Sequence, residues 1–386
     1  MDAVQAGPAE GALLSELRRR LPRVAIVHDW LTIPGGSEQV VLELLAMFPE
    51  AELFTSVYDP SPWPELIKAR TVNTSFLDRV PGAARHYPKL LPLMNRAFRS
   101  FDLRGFDLVI SSSHACAKNV RTPADTLHVC YCHTPMRYAW EEDFLSGELV
   151  GPARLLLAPL LAWLRRQDVA GSREPDVFVA NSKHVAARIQ RYYGRTAEVI
   201  YPPVDVEHFL GLQRDPGDYY LAFGRVVPYK RFDLAVAACA SIGRPLKVAG
   251  EGRALQRLKE TAGTHAEYLG GVSSVERDEL LSGARALLFP GEEDFGIVPV
   301  EAQAAGLPVI AYAVGGAGES VIDGQTGVLF PEQSAASLAQ AISRFEELQL
   351  ADSALRENAR RFGRERFTSQ MAQLIDRSRS ALAARR

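Results

Sequence analysis

Two short segments set charged side chains beside glycine or proline where an apolar run gives way to a helical pattern. In EEDFGIVPVEAQAAG, which follows the strand-like ALLFP, Glu293 and Glu301 bracket seven residues. Gly296 lets backbone amides come close to a phosphate, and a helix expected to begin near Pro299 aims its N-terminus at the same anion. Carboxylates so placed can accept hydrogen bonds from hydroxyls: Glu293, just outside the helix, from a sugar, and Glu301, inside its first turn, from a ribose. The same two glutamates would also serve as a helix cap or as a complement to the helix dipole. In FGRVVPYKRFD, Arg225 ends a strand and Lys230 precedes a helix. An arginine fork and a lysine point charge suit a departing diphosphate, on which negative charge grows as its bond to a sugar lengthens. A solvated basic loop is the plain alternative.

The first half of the chain carries weaker signals. HDWLTIPGGSEQVV puts Gly35 and Gly36 between a strand and an amphipathic helix expected from about Ser37, a place where backbone can approach an anion, or a tight turn with Ser37 as N-cap. VCYCHTPMRYAW places His133 at a strand's carboxyl end, followed by Arg137, Tyr138 and Trp140, which could line an acceptor pocket or belong to a core. His28 and Asp29 read either as an acceptor contact or as a buried hydrogen-bonded pair, and no role is assigned to them. Ser182 reads as a helix cap, and Gly250 to Gly252 as a possible border of a nucleotide site.

These residues need strands that end in loops, and the chain is a series of such strands. RVAIVHDW opens it, and Leu108 to Ser111, Leu127 to Tyr131 and Val177 to Ala180 continue it. After the proline-rich VIYPPVDVEHF it restarts with YYLAFGR, PLKVAG, AEYLGG, ARALLFP, LPVIAY and TGVLF. Helical patterns such as Phe232 to Ser241 and Glu276 to Ser282 lie between. The pattern predicts an α/β protein of two doubly wound domains, residues 1–205 and 206–363, with a cleft between them. The tail from Leu355 to Ala384 reads as helix broken near Gly363, its last part, 364–386, packing back on the first domain. Ligands of open α/β sheets bind beyond the carboxyl ends of the strands, which is where these candidate residues fall.

Bulk properties agree. A chain of 386 residues is long for one core, and 47% apolar with 23% charged residues is an ordinary globular balance. Forty-four basic against 46 acidic side chains argue against a polyanion binder, so nucleic acid is not an expected partner. Cys116, Cys130, Cys132 and Cys239 are too few and too unevenly spaced for a zinc site or a disulfide framework, which fits a reducing compartment. Residues 1–22 lack the apolar core of a signal peptide. The run Leu155 to Leu164 is about half the roughly 20 residues of a membrane span, and it contains Pro159. A cytoplasmic protein is expected.

The glutamate and basic motifs, in this order and with YPPVD before them, resemble the family 4 glycosyltransferases of GT-B fold from about Val24 to Phe367. The resemblance implies a retaining hexosyltransferase without an obligatory metal or other cofactor, its substrate a nucleotide-sugar donor. Arg225, Lys230, Glu293 and His133 are then the catalytic set: Arg225 and Lys230 on the diphosphate, Glu293 and His133 on the transferred sugar. Gly35, Gly36, Phe295, Gly296, Ile297 and Glu301 complete the donor site, with Glu301 on the ribose. Arg137 and Tyr138 fall to the acceptor. HTPMRYAW together with HDWL looks most like the subgroup that transfers mannose from GDP-mannose in bacterial surface polysaccharide assembly, where the acceptor is a glycan or a polyprenyl-diphosphate-linked oligosaccharide. A UDP-sugar donor, an epimerase or hydrolase on the same architecture, and a non-catalytic sugar-nucleotide sensor are the alternatives.

One further reading concerns membranes. Arg85 to Arg104 interleaves Arg85, Lys89, Arg96, Arg99 and Arg104 with Leu90, Leu91, Leu93, Met94, Phe98 and Phe101, and Leu155 to Arg166 is similar. Both suit peripheral contact with the anionic inner face of the plasma membrane, and both suit amphipathic core helices.

Overall fold

The computed structural model describes residues 8–141, 153–262 and 265–384, with side chains for 11–141, 158–261 and 265–384. Within them the chain divides into two compact units, one of residues 1–203 and 365–386, the other of 204–364.

The first unit is built on seven parallel strands: β1 (Val24–His28), β2 (Glu52–Thr55), β3 (Val72–Thr74), β4 (Leu108–Ser113), β5 (Leu127–Cys132), β6 (Val177–Ala180) and β7 (Glu198–Val199). Their order is 3-2-1-4-5-6-7, so the winding reverses between β1 and β4. β1, β4 and β5 are buried throughout because helices cover both faces. In register, Ile26 lies beside Ile110 and Ile110 beside Val129, giving one face to a cluster with Leu44, Leu17 and Phe367. Ala25, Val27 and Val109 face the opposite cluster, with Met94, Phe98 and Phe106. The helix Arg364–Ala384 joins this unit through buried Phe367, Met371, Leu374 and Ile375, spaced to fall on one side.

The second unit repeats the plan with six parallel strands: β8 (Tyr220–Phe223), β9 (Leu246–Ala249), β10 (Glu267–Gly270), β11 (Leu287–Phe289), β12 (Val309–Tyr312) and β13 (Gly327–Phe330). Their order is 10-9-8-11-12-13, and the reversal falls between β8 and β11. The loops after β8 and β9 touch: a Cβ on Gly250, at φ +133°, would lie 2.0 Å from the Gly224 carbonyl oxygen. Close approach of backbone to backbone therefore accounts for that glycine.

Several local expectations need correction. The helix after β11 spans Ile297–Ala304 and begins two residues before Pro299, because Gly296 at φ +83° is its N-cap and proline is tolerated in a first turn. Glu301 consequently stands in the second turn, not the first. Arg225 lies two residues beyond the end of β8, in the loop. The helix Gly36–Met47 starts one residue early with Gly35 as N-cap and no side-chain cap, so Ser37 does not fill that role. β4 and β5 run on to Ser113 and Cys132, since their small polar side chains are buried within the sheet. β2, β3 and β7 are too short to show a period in sequence.

Candidate functional site

In the second unit, the reversal of winding between β8 and β11 brings two loops together. A Cβ on Gly291 would lie 2.7 Å from the Lys230 Cα, so the loops abut there. Lys230 is only 8% exposed, and its Nζ sits 2.6 Å from Glu293 Oε1 and 5.6 Å from the centre of the Phe289 ring. Glu293 is held from behind: its carbonyl accepts the Gly316 N–H at 2.8 Å, and a Cβ on Gly315 would lie 2.7 Å from the same oxygen. Arg231, just after Lys230, takes φ +51°, the one non-glycine residue in the left-handed region among the described residues. That conformation costs on the order of 1 kcal/mol, and the ion pair with Asp233 helps to hold it. Lys230 and Glu293, 63 positions apart in sequence, are thus fixed against each other before any ligand arrives.

The remaining candidates of this unit lie around that pair in different settings. Arg225 is exposed. Phe295 is buried, its ring 5.6 Å from Phe362, while Gly296 and Ile297 open the helix Ile297–Ala304. Gly296 has no room for a side chain of ordinary conformation, its φ being positive and the Phe289 ring 3.2 Å from an added Cβ. Glu301 faces a separate charged group, in which His208 and Asp278 are 2.7 Å apart and Arg277 pairs with Asp278 at 2.8 Å. Sequence reading missed that group, whose members come from Val206–Leu210 and Ser274–Gly283.

Glu301 keeps an accessible edge but lies deep, and burial pushes its carboxyl up to about 7, with Asp205 and Asp278 adding to the effect against the opposing charges of Arg277 and His208. From pH 4.5 to 7 the folded chain holds a proton that the unfolded chain has released, so this residue's contribution to stability falls as pH rises through that window. Glu301→Gln should therefore leave stability little changed at pH 4.5 and raise it by about 3 kcal/mol at pH 8. Urea unfolding at the two pH values measures this, and an equal effect at both would contradict the burial argument.

In the first unit, the ends of β1, β4 and β5 carry a buried polar cluster. The Asp29 carboxylate accepts four backbone N–H groups, those of His114, Ala115, Cys116 and Ala117, at 2.6 to 2.9 Å. His28 Nε2 is 3.1 Å from Glu38 Oε1, and its Nδ1 is 3.1 Å from both the carbonyl and the hydroxyl oxygen of Ser112. The Ser112 hydroxyl is 2.8 Å from His133 Nε2, so His133 is buried and bonded. Burial, then the charges of His114 and His28, hold its imidazole far below the ordinary histidine range. His28 and Asp29 are both part of this network, each bonded to other partners. Glu38, Ser112 and His114 had no sequence signal, since their partners lie 10 to 85 positions away.

The glycine loop has its own occupant. Gly35 is extended, at φ −159°, and the space where its Cβ would project is bounded by Glu38 Oε2 at 3.0 Å. Gly36 is the first residue of the helix. Arg137 lies 3.7 Å from Glu141, which also pairs with Arg188, and Tyr138 packs on the core cluster of Met94 and Phe98. Trp140 is half-buried: it stacks on Tyr192 at 4.4 Å and donates its indole N–H to Asp168 at 2.7 Å. Ser182 caps its helix, accepting the Val185 N–H at 3.0 Å.

Of the basic-apolar segments, Leu91, Met94 and Phe98 point into the core, which leaves Leu93, Leu160 and Trp163 as the exposed large apolar groups among the described residues, at 49, 38 and 38%. The side chains of residues 155–157, part of the second such segment, lie outside the described residues. No described helix is long and apolar enough to cross a membrane.

Comparison with known proteins gives these loops a family. The family Glycosyltransferase Family 4 matches residues 34–208, and the family Glycosyl transferases group 1 matches residues 207–362. A glycogen synthase of Mycobacterium tuberculosis is 35% identical over 249 residues, 60% of this chain and 58% of that protein. A D-inositol 3-phosphate glycosyltransferase of Segniliparus rotundus is 32% identical over 226 residues, half of each chain. The chain thus spans little more than half the length of the curated relatives it matches. Among solved structures, Anabaena Alr3699/HepE in complex with UDP superposes with a TM-score of 0.66 over 92% of this chain and 99% of that one, at 17% identity. Sucrose-phosphate synthase from Thermosynechococcus elongatus gives 0.65 over 93% and 99%, at 20% identity. Two adjoining family matches that together run from residue 34 to 362, on two doubly wound parallel sheets, establish that this chain belongs to the family 4 glycosyltransferases and has their GT-B fold.

Proposed function

We propose that this chain is a retaining hexosyltransferase that takes a sugar from a nucleotide-diphosphate donor bound at the β8 and β11 loops of its second unit, without an obligatory metal. The observation that carries the reading is the Lys230–Glu293 contact at 2.6 Å, at the carboxyl ends of two adjacent parallel strands. A fixed cation beside a fixed carboxylate suits a sugar joined to a phosphate: Glu293 accepts from sugar hydroxyls while Lys230, with Arg225, meets the diphosphate. The bond from the anomeric carbon to the phosphate oxygen breaks, and its electron pair leaves with the diphosphate as the two cations stabilise the growing charge. The acceptor hydroxyl oxygen bonds to that carbon from the same face, and its proton passes to the departing phosphate. Glu301 grips the ribose, and His133 touches the transferred sugar. Phe295, Gly296 and Ile297 shape the donor site from the helix start, and Gly35 and Gly36 are assigned to the donor on the family likeness. Arg137 and Tyr138 serve the acceptor.

The donor proposed first is GDP-mannose, on the likeness of HTPMRYAW and HDWL, and the product a bacterial surface glycan. UDP-glucose is the second reading, favoured by the Anabaena protein, which was crystallised with UDP-glucose. An acceptor carried on a polyprenyl lipid would bring this chain to the inner face of the plasma membrane, with Leu93, Leu160 and Trp163 the apolar groups available to meet it. A thermal-shift panel of nucleotide sugars tests the donor: at a hundred times its dissociation constant, the true donor adds about 2.7 kcal/mol of stability. If no nucleotide sugar shifts the transition, the proposal fails. If one does but yields free sugar or an isomer with acceptor present, the enzyme is a hydrolase or an epimerase instead.

A further inference from the structure

His133 is backed by a chain of three polar residues that fixes where its proton sits. His28 is fully buried, with Nε2 3.1 Å from the Glu38 carboxylate and Nδ1 3.1 Å from the Ser112 carbonyl. A carboxylate only accepts, so Nε2 carries a proton, and Nδ1 bonds to the Ser112 carbonyl only when it carries the second, as the charge of Glu38 favours. Burial alone would drive His28 toward its neutral form, but the hydrogen bond and charge of Glu38, with the charge of Asp29 behind it, outweigh burial and raise its pKa. Glu38 moves in the opposite sense: burial would raise it, and its contacts with His28 bring it below the usual carboxylate range. The other ring facing this pair is His114, 5.8 Å from His28 and 3.3 Å from Asp29.

The Ser112 hydroxyl lies 3.1 Å from His28 Nδ1 and 2.8 Å from His133 Nε2. It has one proton to give. With His28 donating from its side, that proton points to His133, whose Nε2 must then be the bare nitrogen. Tyr131, 5.2 Å from the His133 ring, gives its own hydroxyl proton to the Ile200 carbonyl and takes no part.

We propose that Glu38, His28 and Ser112 are positioning residues that hold His133 as the neutral Nδ1–H tautomer, so that it donates a hydrogen bond to a lone-pair oxygen of the bound sugar nucleotide and accepts no proton during transfer. The inference rests on the reading that His133 meets the transferred sugar, but its first half concerns the unliganded protein alone. A base at this position would need a free ring nitrogen, and Nε2 is already taken by Ser112. His133 therefore works as a polar guide for the sugar.

The test is a long-range ¹H–¹⁵N spectrum of the histidine rings in the full chain at pH 7.5 without ligand. In the native protein, His133 should show a bare Nε2 and a protonated Nδ1, and His28 should show both nitrogens protonated. Ser112→Ala removes the donor and should move His133 toward the Nε2–H form, while Ser112→Thr restores the native pattern. Glu38→Gln should cost His28 its second proton. In transfer assays, Ser112→Ala should lower kcat by about 10-fold and shift the donor KM by less than about 3-fold. A protonated Nε2 on His133 in the native protein overturns the proposal, as does a Ser112→Ala spectrum identical to the native one. Because the spectrum is read without ligand, a chain that turns over no sugar nucleotide would strike the transferase reading and leave the tautomer standing. An active transferase with the other tautomer would do the reverse.

Discussion

Lys230→Ala should lower turnover by about 10²- to 10³-fold while the chain stays folded. The ammonium is the one buried cation at the β8 and β11 loops among the described residues, and burial makes its charge count for more than an exposed one would. The fold should survive because the Glu293 side chain is 18% exposed, and removing the Lys230 side chain opens space for water beside its buried Oε1. Circular dichroism and the urea midpoint check the fold, and initial rates of sugar transfer check the loss. Glu293→Gln should also be strongly impaired, and the double variant only slightly worse than either single one, since the two groups act as a unit. Near-native transfer by Lys230→Ala would remove the diphosphate role assigned to this side chain.

The second large effect is on stability, in the other unit. Asp29→Asn should cost about 3 kcal/mol at pH 7, because the new amide nitrogen faces backbone donors that the carboxylate oxygen had accepted. Burial by itself would raise the Asp29 carboxyl, but the charges of His114 and His28 and the backbone N–H groups keep it below its ordinary value of 3.8. Its ionised form therefore stabilises the fold above pH 3.8, and that contribution is lost as pH falls through the depressed value. Guanidinium titrations across that range should show the native protein losing its advantage over Asp29→Asn in strong acid. A difference under about 1 kcal/mol at neutral pH would mean that the four amides are satisfied some other way.

Strands were legible wherever β-branched or apolar residues made a run bounded by turn residues, as in β1, β6 and all six strands of the second unit. β2, β3 and β7 have four, three and two residues, which is less than a period can show, and only pairing with a neighbour defines them. Arg85 to Arg104 reads equally as a membrane contact and as a core helix because sequence spacing fixes which residues share a helix face but not what covers that face. Here Met94 and Phe98 are covered by the sheet. The start of the helix Ile297–Ala304 was misplaced for a related reason: Pro299 is a visible marker of a first turn, whereas the positive φ of Gly296 that opens the helix is a property of the folded loop.

From the amino-acid order alone came the α/β class, the family likeness, and the names of Lys230 and Glu293, because each rests on a local motif: a charge beside a glycine or proline at the end of an apolar run. What the tertiary structure decided is which of these groups touch. It put Lys230 against Glu293, Glu301 into a different ionic group, and Glu38, His28 and Ser112 behind His133. Such contacts join residues 10 to 93 positions apart through strand order and register, and no local spacing encodes them.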